Sequence, residues 1–303
     1  MNLHTMLKTT LDHLPEGKQR TIAEVRRLIL NEVETYIEHK SRYSHSYIVW
    51  MVLFGSYARG NYVVDHLNGY ISDFDILVAV NGRELADDTD LWYKIDEKLE
   101  RLTRIPVNVI VHTHEEVAQW LKEGQYFFSD IRKDGIYLHT NSGKGLPEPK
   151  HLSDTERLPI AEKHYKQWFE NANEFLIDGG NALGRKSFKK AAFEFHQATE
   201  RFYGCILLVL SNYRPKTHNI ETLRHMTIDM TGANSPLLAS FAGKDKFQRR
   251  SFQRLKRAYV DARYSEHYEI TEEELVWLAD QVKVLKETTQ QLCESYLQTL
   301  VNS

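Results

Sequence analysis

The chain of 303 residues is 42% hydrophobic and 27% charged, with a formal net charge of −3. That length allows about two domains, each able to bury its own core, and a charge this near balance excludes nucleic-acid binding driven by the overall field, leaving only local patches. The only cysteines, Cys205 and Cys293, sit in apolar helical patterns and read as buried free thiols. With no disulfide framework, signal peptide or long apolar span, the sequence predicts a cytoplasmic protein with no membrane contact.

Taken in order, residues 18–40 put Ile22, Val25, Leu28, Ile29, Val33 and Ile37 at helical spacing, which predicts an amphipathic helix lying on a sheet. Tyr47 to Phe54 reads as a first, buried strand, and Gly55-Ser56 breaks it. Tyr57-Ala58-Arg59 can open a helix, so the Gly-Ser pair occupies a strand-to-helix turn whose backbone N–H groups suit a phosphate. Gly55 permits close approach of the backbone, and the Ser56 hydroxyl adds a hydrogen bond.

Phe74 to Val80 predicts a second strand, with Asp73 and Asp75 flanking Phe74 at its start. Period-2 alternation turns both carboxylates to one face. Carboxylates held side by side repel unless a cation bridges them, and a hard divalent ion prefers oxygen ligands. A phosphate turn beside a carboxylate pair is the equipment of magnesium-dependent nucleotidyl transfer. Either half alone reads as a surface Gly turn or an exposed Asp-x-Asp.

Leu91 to Leu102 reads as a crossover helix and Ile105 to His112 as a third strand. Glu115 to Lys122 and Tyr126 to Arg132 predict short helices, and Gly135 to His139 an edge strand. Ser142-Gly-Lys-Gly-Leu-Pro-Glu-Pro149 is dense in Gly and Pro and predicts an exposed linker. The expected division is a first domain over 1–140, a linker over 141–152 and a second domain over 153–303.

Gly55-Ser-Tyr-Ala-Arg-Gly60 followed by Ser72-Asp-Phe-Asp75 resembles the signature of the polymerase-β-type minimal nucleotidyltransferases, over roughly residues 20–140. The spacer, Asn61 to Ile71, is slightly long and carries an additional Asp65. The resemblance implies a mixed sheet with helices that binds a nucleoside triphosphate and magnesium. Gly55, Ser56 and Arg59 would be nucleotide-binding, and Asp73 and Asp75 would hold the metal. The family places one more Asp on the third strand, where this chain has Asn108. An amide can still ligate a metal through its oxygen, but it brings no charge and is a poor base, which makes turnover more vulnerable than binding.

After the linker the strand signal disappears. Thr155 to Leu176 predicts a helix ended by the turn Asp178-Gly-Gly-Asn181, and Ser187 to Leu210 a long, increasingly apolar helix. Further helices are expected over His218 to Met226, Phe247 to Ala262 and Thr271 to Leu300, the last opened by a Thr271-Glu-Glu-Glu274 capping box. The fold class is therefore α+β, a nucleotidyltransferase-type mixed sheet followed by an all-α bundle.

Phe195-His-Gln-Ala-Thr-Glu200, Tyr213 to Leu223 and Asp261-Ala-Arg-Tyr-Ser-Glu-His-Tyr268 give this half a resemblance to the HEPN helical domains. Nuclease members pair an Arg with a following His, which marks Arg263 and His267, with RNA as the implied partner, although their spacing is one residue short of that pattern. In related two-gene systems the transferase modifies a HEPN tyrosine, which marks Tyr268 as an acceptor, and a homodimer is an expected assembly. A small-molecule acceptor is the other option, since the aminoglycoside-resistance nucleotidyltransferases share this architecture. The alternatives to a transferase are a HEPN ribonuclease toxin with a built-in nucleotidyltransferase antidote and a non-catalytic nucleotide sensor.

Three smaller features complete the reading. Arg214 and His218 share the spacing of the nuclease pair, but Pro215 points to a structural role there. His196 and Glu200, four apart on a helix, read as a buried hydrogen-bonded pair or, less simply, a metal pair. Lys244 to Arg257 is a basic run in which Arg250, Arg254 and Arg257 would share one face, open either to solvent or to phosphate groups.

Overall fold

The computed structural model describes residues 8–62, 64–65, 70–141, 145–232 and 234–302. These divide into two compact units, one holding the four-stranded sheet and its helices up to His151, the other comprising the chain from Leu152 together with the segment 65–70. The α+β class expected from the sequence is observed.

In the first unit, strands β1 (Ile48–Phe54), β4 (Phe74–Val80), β5 (Val107–Thr113) and β6 (Ile136–Thr140) form a four-stranded mixed sheet in the order β5-β4-β1-β6. β1 runs antiparallel to β4 and β6, and β5 runs parallel to β4. Short strands β2 (Val64–Asp65) and β3 (Tyr70–Ile71) make a separate ribbon. The side chain of Asp65 lies outside the described residues.

Every residue of β1 and β4 is buried, because helices cover both faces. On one face α1 (Glu16–Glu38) and α4 (Thr89–Leu102) set Ile22, Val25, Ile29, Leu91, Ile95 and Leu99 against Met51, Leu53, Ile76 and Val78. Each such side chain contributes roughly 1.5–3 kcal/mol on burial. α5 (His114–Glu123) and α6 (Tyr126–Asp134) bury Val117, Leu121, Phe127 and Phe128, with α5 packed on β4 and α6 on β1. Two short helices, α2 (Gly55–Arg59) and α3 (Arg83–Ala86), follow β1 and β4. Asp88 caps α4 at Leu91 N and also accepts from the Tyr36 and Tyr43 hydroxyls.

The stretch after β6 differs from the exposed linker its Gly and Pro content suggests. Leu146 is buried, its N–H donates to the Tyr137 hydroxyl at 2.6 Å, and Lys150 N–H donates to Leu121 O at 2.8 Å. An apolar residue and two backbone bonds outweigh the local composition and hold residues 146–150 on the first unit. Ser142, Gly143 and Lys144 lie outside the described residues.

The second unit is built from α7 (Asp154–Gly184), α8 (Phe188–Ser211), α9 (Ile220–Thr231), α10 (Lys246–Tyr264) and α11 (Glu272–Asn302). α8 packs against all four others, which is why its residues from Ala191 to Val209 are buried almost all round. Cys205 on α8 and Cys293 on α11 are buried free thiols, 4.0 Å apart at sulfur. Thr271 and Glu274 exchange their two capping hydrogen bonds at the start of α11.

One expected break is absent. α7 continues straight through Asp178-Gly-Gly-Asn181 to Gly184. A Cβ on Gly179 would lie 2.5 Å from two ring carbons of Phe195 on α8, whereas one on Gly180 would meet nothing within 4 Å. Gly179 is thus there for close helix approach and not to end the helix.

The two glycines should therefore respond oppositely. Gly179→Ala is expected to lower the unfolding free energy by about 1–3 kcal/mol through overpacking against Phe195. Gly180→Ala should raise it by up to about 1 kcal/mol, since only helix propensity changes. Urea unfolding of the two full-length variants compares them directly, and equal effects would refute the packing assignment.

Candidate functional site

Three separate pieces of sequence converge at one end of the sheet, and strand register brings them together. Phe54, the last residue of β1, pairs with Asp75 of β4, so the Gly55-Ser56 turn emerges beside the carboxylate pair. On the other side of β4, Asp75 pairs with Asn108 of β5. Alternation turns Asp75 to the same side as Leu77 and Ala79, away from the core formed by Ile76 and Val78 with α1 and α4.

Gly55 has φ +72°, a left-handed backbone conformation that favours glycine. The turn leads into α2, which Gly60 closes at φ +79° while Asn61 N–H donates to Ser56 O. Ser56 is only 3% exposed, and its Oγ is buried with no hydrogen-bond partner among the described residues. A buried hydroxyl in that condition costs about 1–3 kcal/mol unless something donates to it or accepts from it. Arg59 is exposed at the end of α2.

Asp73 and Asp75 are each 2% exposed. Tyr57 lies beneath the turn, its ring stacked on Tyr62 at 4.3 Å and tilted against Phe74 at 4.4 Å. Burial first, then Tyr62 and the charge of Asp73, push its phenol up to about 12, so Tyr57 stays protonated. Tyr57 was not singled out from the sequence; its place inside the Gly-Ser-x-Ala-Arg-Gly motif was the available signal.

Asn108 Nδ2 donates to Asp75 Oδ1 at 2.9 Å. An ionised carboxylate offers only acceptors, so the amide must present its NH₂ group to it. The third-strand position thus abuts the carboxylate pair, as the sequence suggests, but faces it with a donor. Among the described residues no group of three or more His, Cys, Asp or Glu could hold a metal ion. Two buried carboxylates and a buried, unbonded hydroxyl are hard oxygen donors that fit magnesium, with the remaining ligands left to phosphate oxygens and water.

The second unit's candidates are placed differently. α10 ends at Tyr264, and His267 lies in the turn beyond it. Arg263 donates Nε–H to Tyr259 O, and its guanidinium lies over the rings of Phe193, Tyr259 and Tyr264. Arg263 and His267 are exposed but do not share a helix face. Tyr268 is 4% exposed and donates its hydroxyl to Arg254 O at 2.9 Å. Burial pushes that phenol up.

The basic run is largely occupied within the bundle. Arg250 and Arg254 both pair with Glu274, which is fully buried, Lys256 pairs with Glu221, and Arg257 pairs with Asp261. Glu200 likewise serves Arg214 at 2.5 Å and His218 at 2.9 Å. His196, whose Nδ1 is 4.0 Å from Glu200, is buried and pushed down to about 3 by burial, so it is neutral. The structural role expected for Arg214 and His218 is what the geometry gives. What the sequence did not reveal is Tyr259, stacked on His218 at 3.9 Å.

Comparison with family models gives two matches, the nucleotidyltransferase domain over residues 31–137 and the HEPN domain over residues 165–292. Comparison with curated proteins gives no match.

The Glu200 cluster generates a stability prediction. Glu200→Gln leaves a partly buried Arg214 without its counter-charge and should cost about 2–4 kcal/mol. A urea midpoint unchanged from the parent chain would show that Glu200 carries no structural load.

Proposed function

We propose that this chain, a nucleotidyltransferase domain joined to a HEPN domain, transfers a nucleoside monophosphate from a nucleoside triphosphate to an acceptor hydroxyl. The acceptor oxygen would bond to the α-phosphorus as the bond to pyrophosphate breaks, and the hydroxyl proton is lost. The observation that carries this reading is the register that sets the Gly55-Ser56 turn and the Asp73/Asp75 pair side by side at the end of the sheet.

Ser56 and the backbone of the Gly55 turn would hold phosphate oxygens, and the unbonded Ser56 hydroxyl supports this. Arg59, exposed at the end of α2, would contribute its charge to nucleotide binding. Asp73 and Asp75 would hold magnesium, which when bound screens the phosphate charge. Tyr57 supports the turn from below as a neutral phenol. The burial of Tyr268 favours an acceptor elsewhere, a small-molecule hydroxyl or another tyrosine.

A second reading has its own support. The Asn108 amide facing Asp75 replaces the position from which a carboxylate would accept the acceptor's proton, and this favours a nucleotide sensor with little turnover. No helix among the described residues is long and apolar enough to cross a membrane. The separation of Arg263 from His267 weighs against the ribonuclease reading.

Asp73→Asn combined with Asp75→Asn should abolish magnesium-dependent ATP binding in a chain that still folds, and Ser56→Ala should weaken it roughly 10- to 150-fold, the value of about one hydrogen bond to a charged group. Isothermal titration with circular dichroism as the folding control measures both. Unchanged affinity in the folded double variant would overturn the site assignment.

A further inference from the structure

The donor set at the end of the sheet is small enough to limit what it holds. Asp75 receives the Asn108 N–H on Oδ1, so the flank of the carboxylate facing β5 meets the positive end of an amide dipole. A cation approaching from that flank would meet the same positive end. Among the described residues those that remain are Asp73, Asp75 and the Ser56 hydroxyl, and no group of three ionisable ligands exists there.

Magnesium demands six near-octahedral ligands and parts with water reluctantly, so it is held by one or two carboxylates together with substrate phosphates. A pair of ions about 3.5–4 Å apart needs shared carboxylates and a further oxygen ligand for the second ion. Here the charge of the two carboxylates balances one divalent ion, and the position that would steady another is an uncharged amide whose NH₂ group is turned to Asp75.

We infer that the Asp73/Asp75 pair takes up a single divalent cation, and holds it more tightly together with the triphosphate than alone. Among the described residues the chain supplies too few ligands to retain the ion by itself, and the Asn108 amide lies on the flank of Asp75 that faces β5. Asn108 is in this account a positioning residue: it fixes Asp75 and sets the ion count. The inference rests on the nucleotide-binding reading above and extends it to the form in which the nucleotide arrives, as its metal complex.

Manganese is the probe, counted by electron paramagnetic resonance on the full chain with each of the four α,β-methylene nucleoside triphosphates, against protein-free nucleotide solutions. One Mn²⁺ per bound nucleotide is expected. Removing the nucleotide should weaken Mn²⁺ binding by roughly 5- to 150-fold, the usual range of coupling between two ligands. Two ions per nucleotide, or undiminished Mn²⁺ affinity without nucleotide, would overturn the inference while leaving nucleotide binding intact. Failure of all four analogues to bind in the presence of Mn²⁺ would instead overturn the nucleotide-binding reading, and this inference with it.

Asn108→Asp is expected to raise the count to two ions per nucleotide. A folded Asn108→Asp chain that still holds one ion would overturn the role given to Asn108. Should that variant fail to fold, because a new carboxylate faces Asp75, the wild-type count decides alone.

Discussion

The constraint on which the first unit depends is the register of β4 between β1 and β5. β4 is apolar on both of its faces, Ile76 and Val78 on one and Leu77 and Ala79 on the other, and all are buried. Hydrophobic alternation therefore does little to choose between the two ways this strand could sit, since a slip of one residue would still bury apolar side chains. The carboxylates choose. In the slipped register Asp73 and Asp75 would enter the core formed by α1 and α4, among Ile22, Ile29, Leu91 and Ile95, where a charge without a partner is expensive enough to exclude the arrangement. The residues proposed to hold the nucleotide's cation thus also specify how the sheet is assembled.

The second unit uses carboxylates in another way. Glu200 and Glu274 are both buried, and each gathers two basic groups, Arg214 with His218 and Arg250 with Arg254. Buried ion pairs of this kind add little net stability but penalise the loss of either partner heavily. Glu274 also closes the cap of α11 through Thr271, so one carboxylate fixes the start of that helix and its contact with α10. The consequence for function is subtractive. A run of bases that looks in sequence like a nucleic-acid surface has much of its charge answered inside the bundle.

Periodicity revealed nearly every element, because amphipathic helices such as α1 and α4 and the fully apolar strands β1 and β4 carry their burial pattern in their own residues. It failed where a residue's role is defined by something distant in sequence. Gly179-Gly180 reads as a helix stop, yet Phe195 on the neighbouring helix needs the space that a side chain would fill. Residues 146–150 read as a loose connector, yet the Tyr137 hydroxyl and the Leu121 carbonyl hold them. The site was legible as a motif, since Gly55, Ser56, Asp73 and Asp75 carry chemistry that few other arrangements need. Tyr268 was not, since a tyrosine four residues beyond a helix end gives no local sign that its hydroxyl is buried against Arg254 O.

Asn108 is the residue at which local pattern and chemistry part. Asparagine and aspartate are nearly the same shape, so the strand accepts either at this position, and a third carboxylate would satisfy the backbone equally well. The electrostatics differ in sign. Two like unit charges about 4 Å apart repel by about 4 kcal/mol at an effective dielectric of about 20, and a third carboxylate beside Asp75 would add repulsion of this kind whenever the cation is absent. The amide converts that repulsion into a charge-assisted hydrogen bond of 2.9 Å. The end of the sheet is then settled as an anionic site before any cation arrives, at the loss of a base beside the acceptor. A site built this way is suited first to recognising a metal-bound triphosphate, and the rate of any transfer depends on how readily the acceptor hydroxyl releases its own proton.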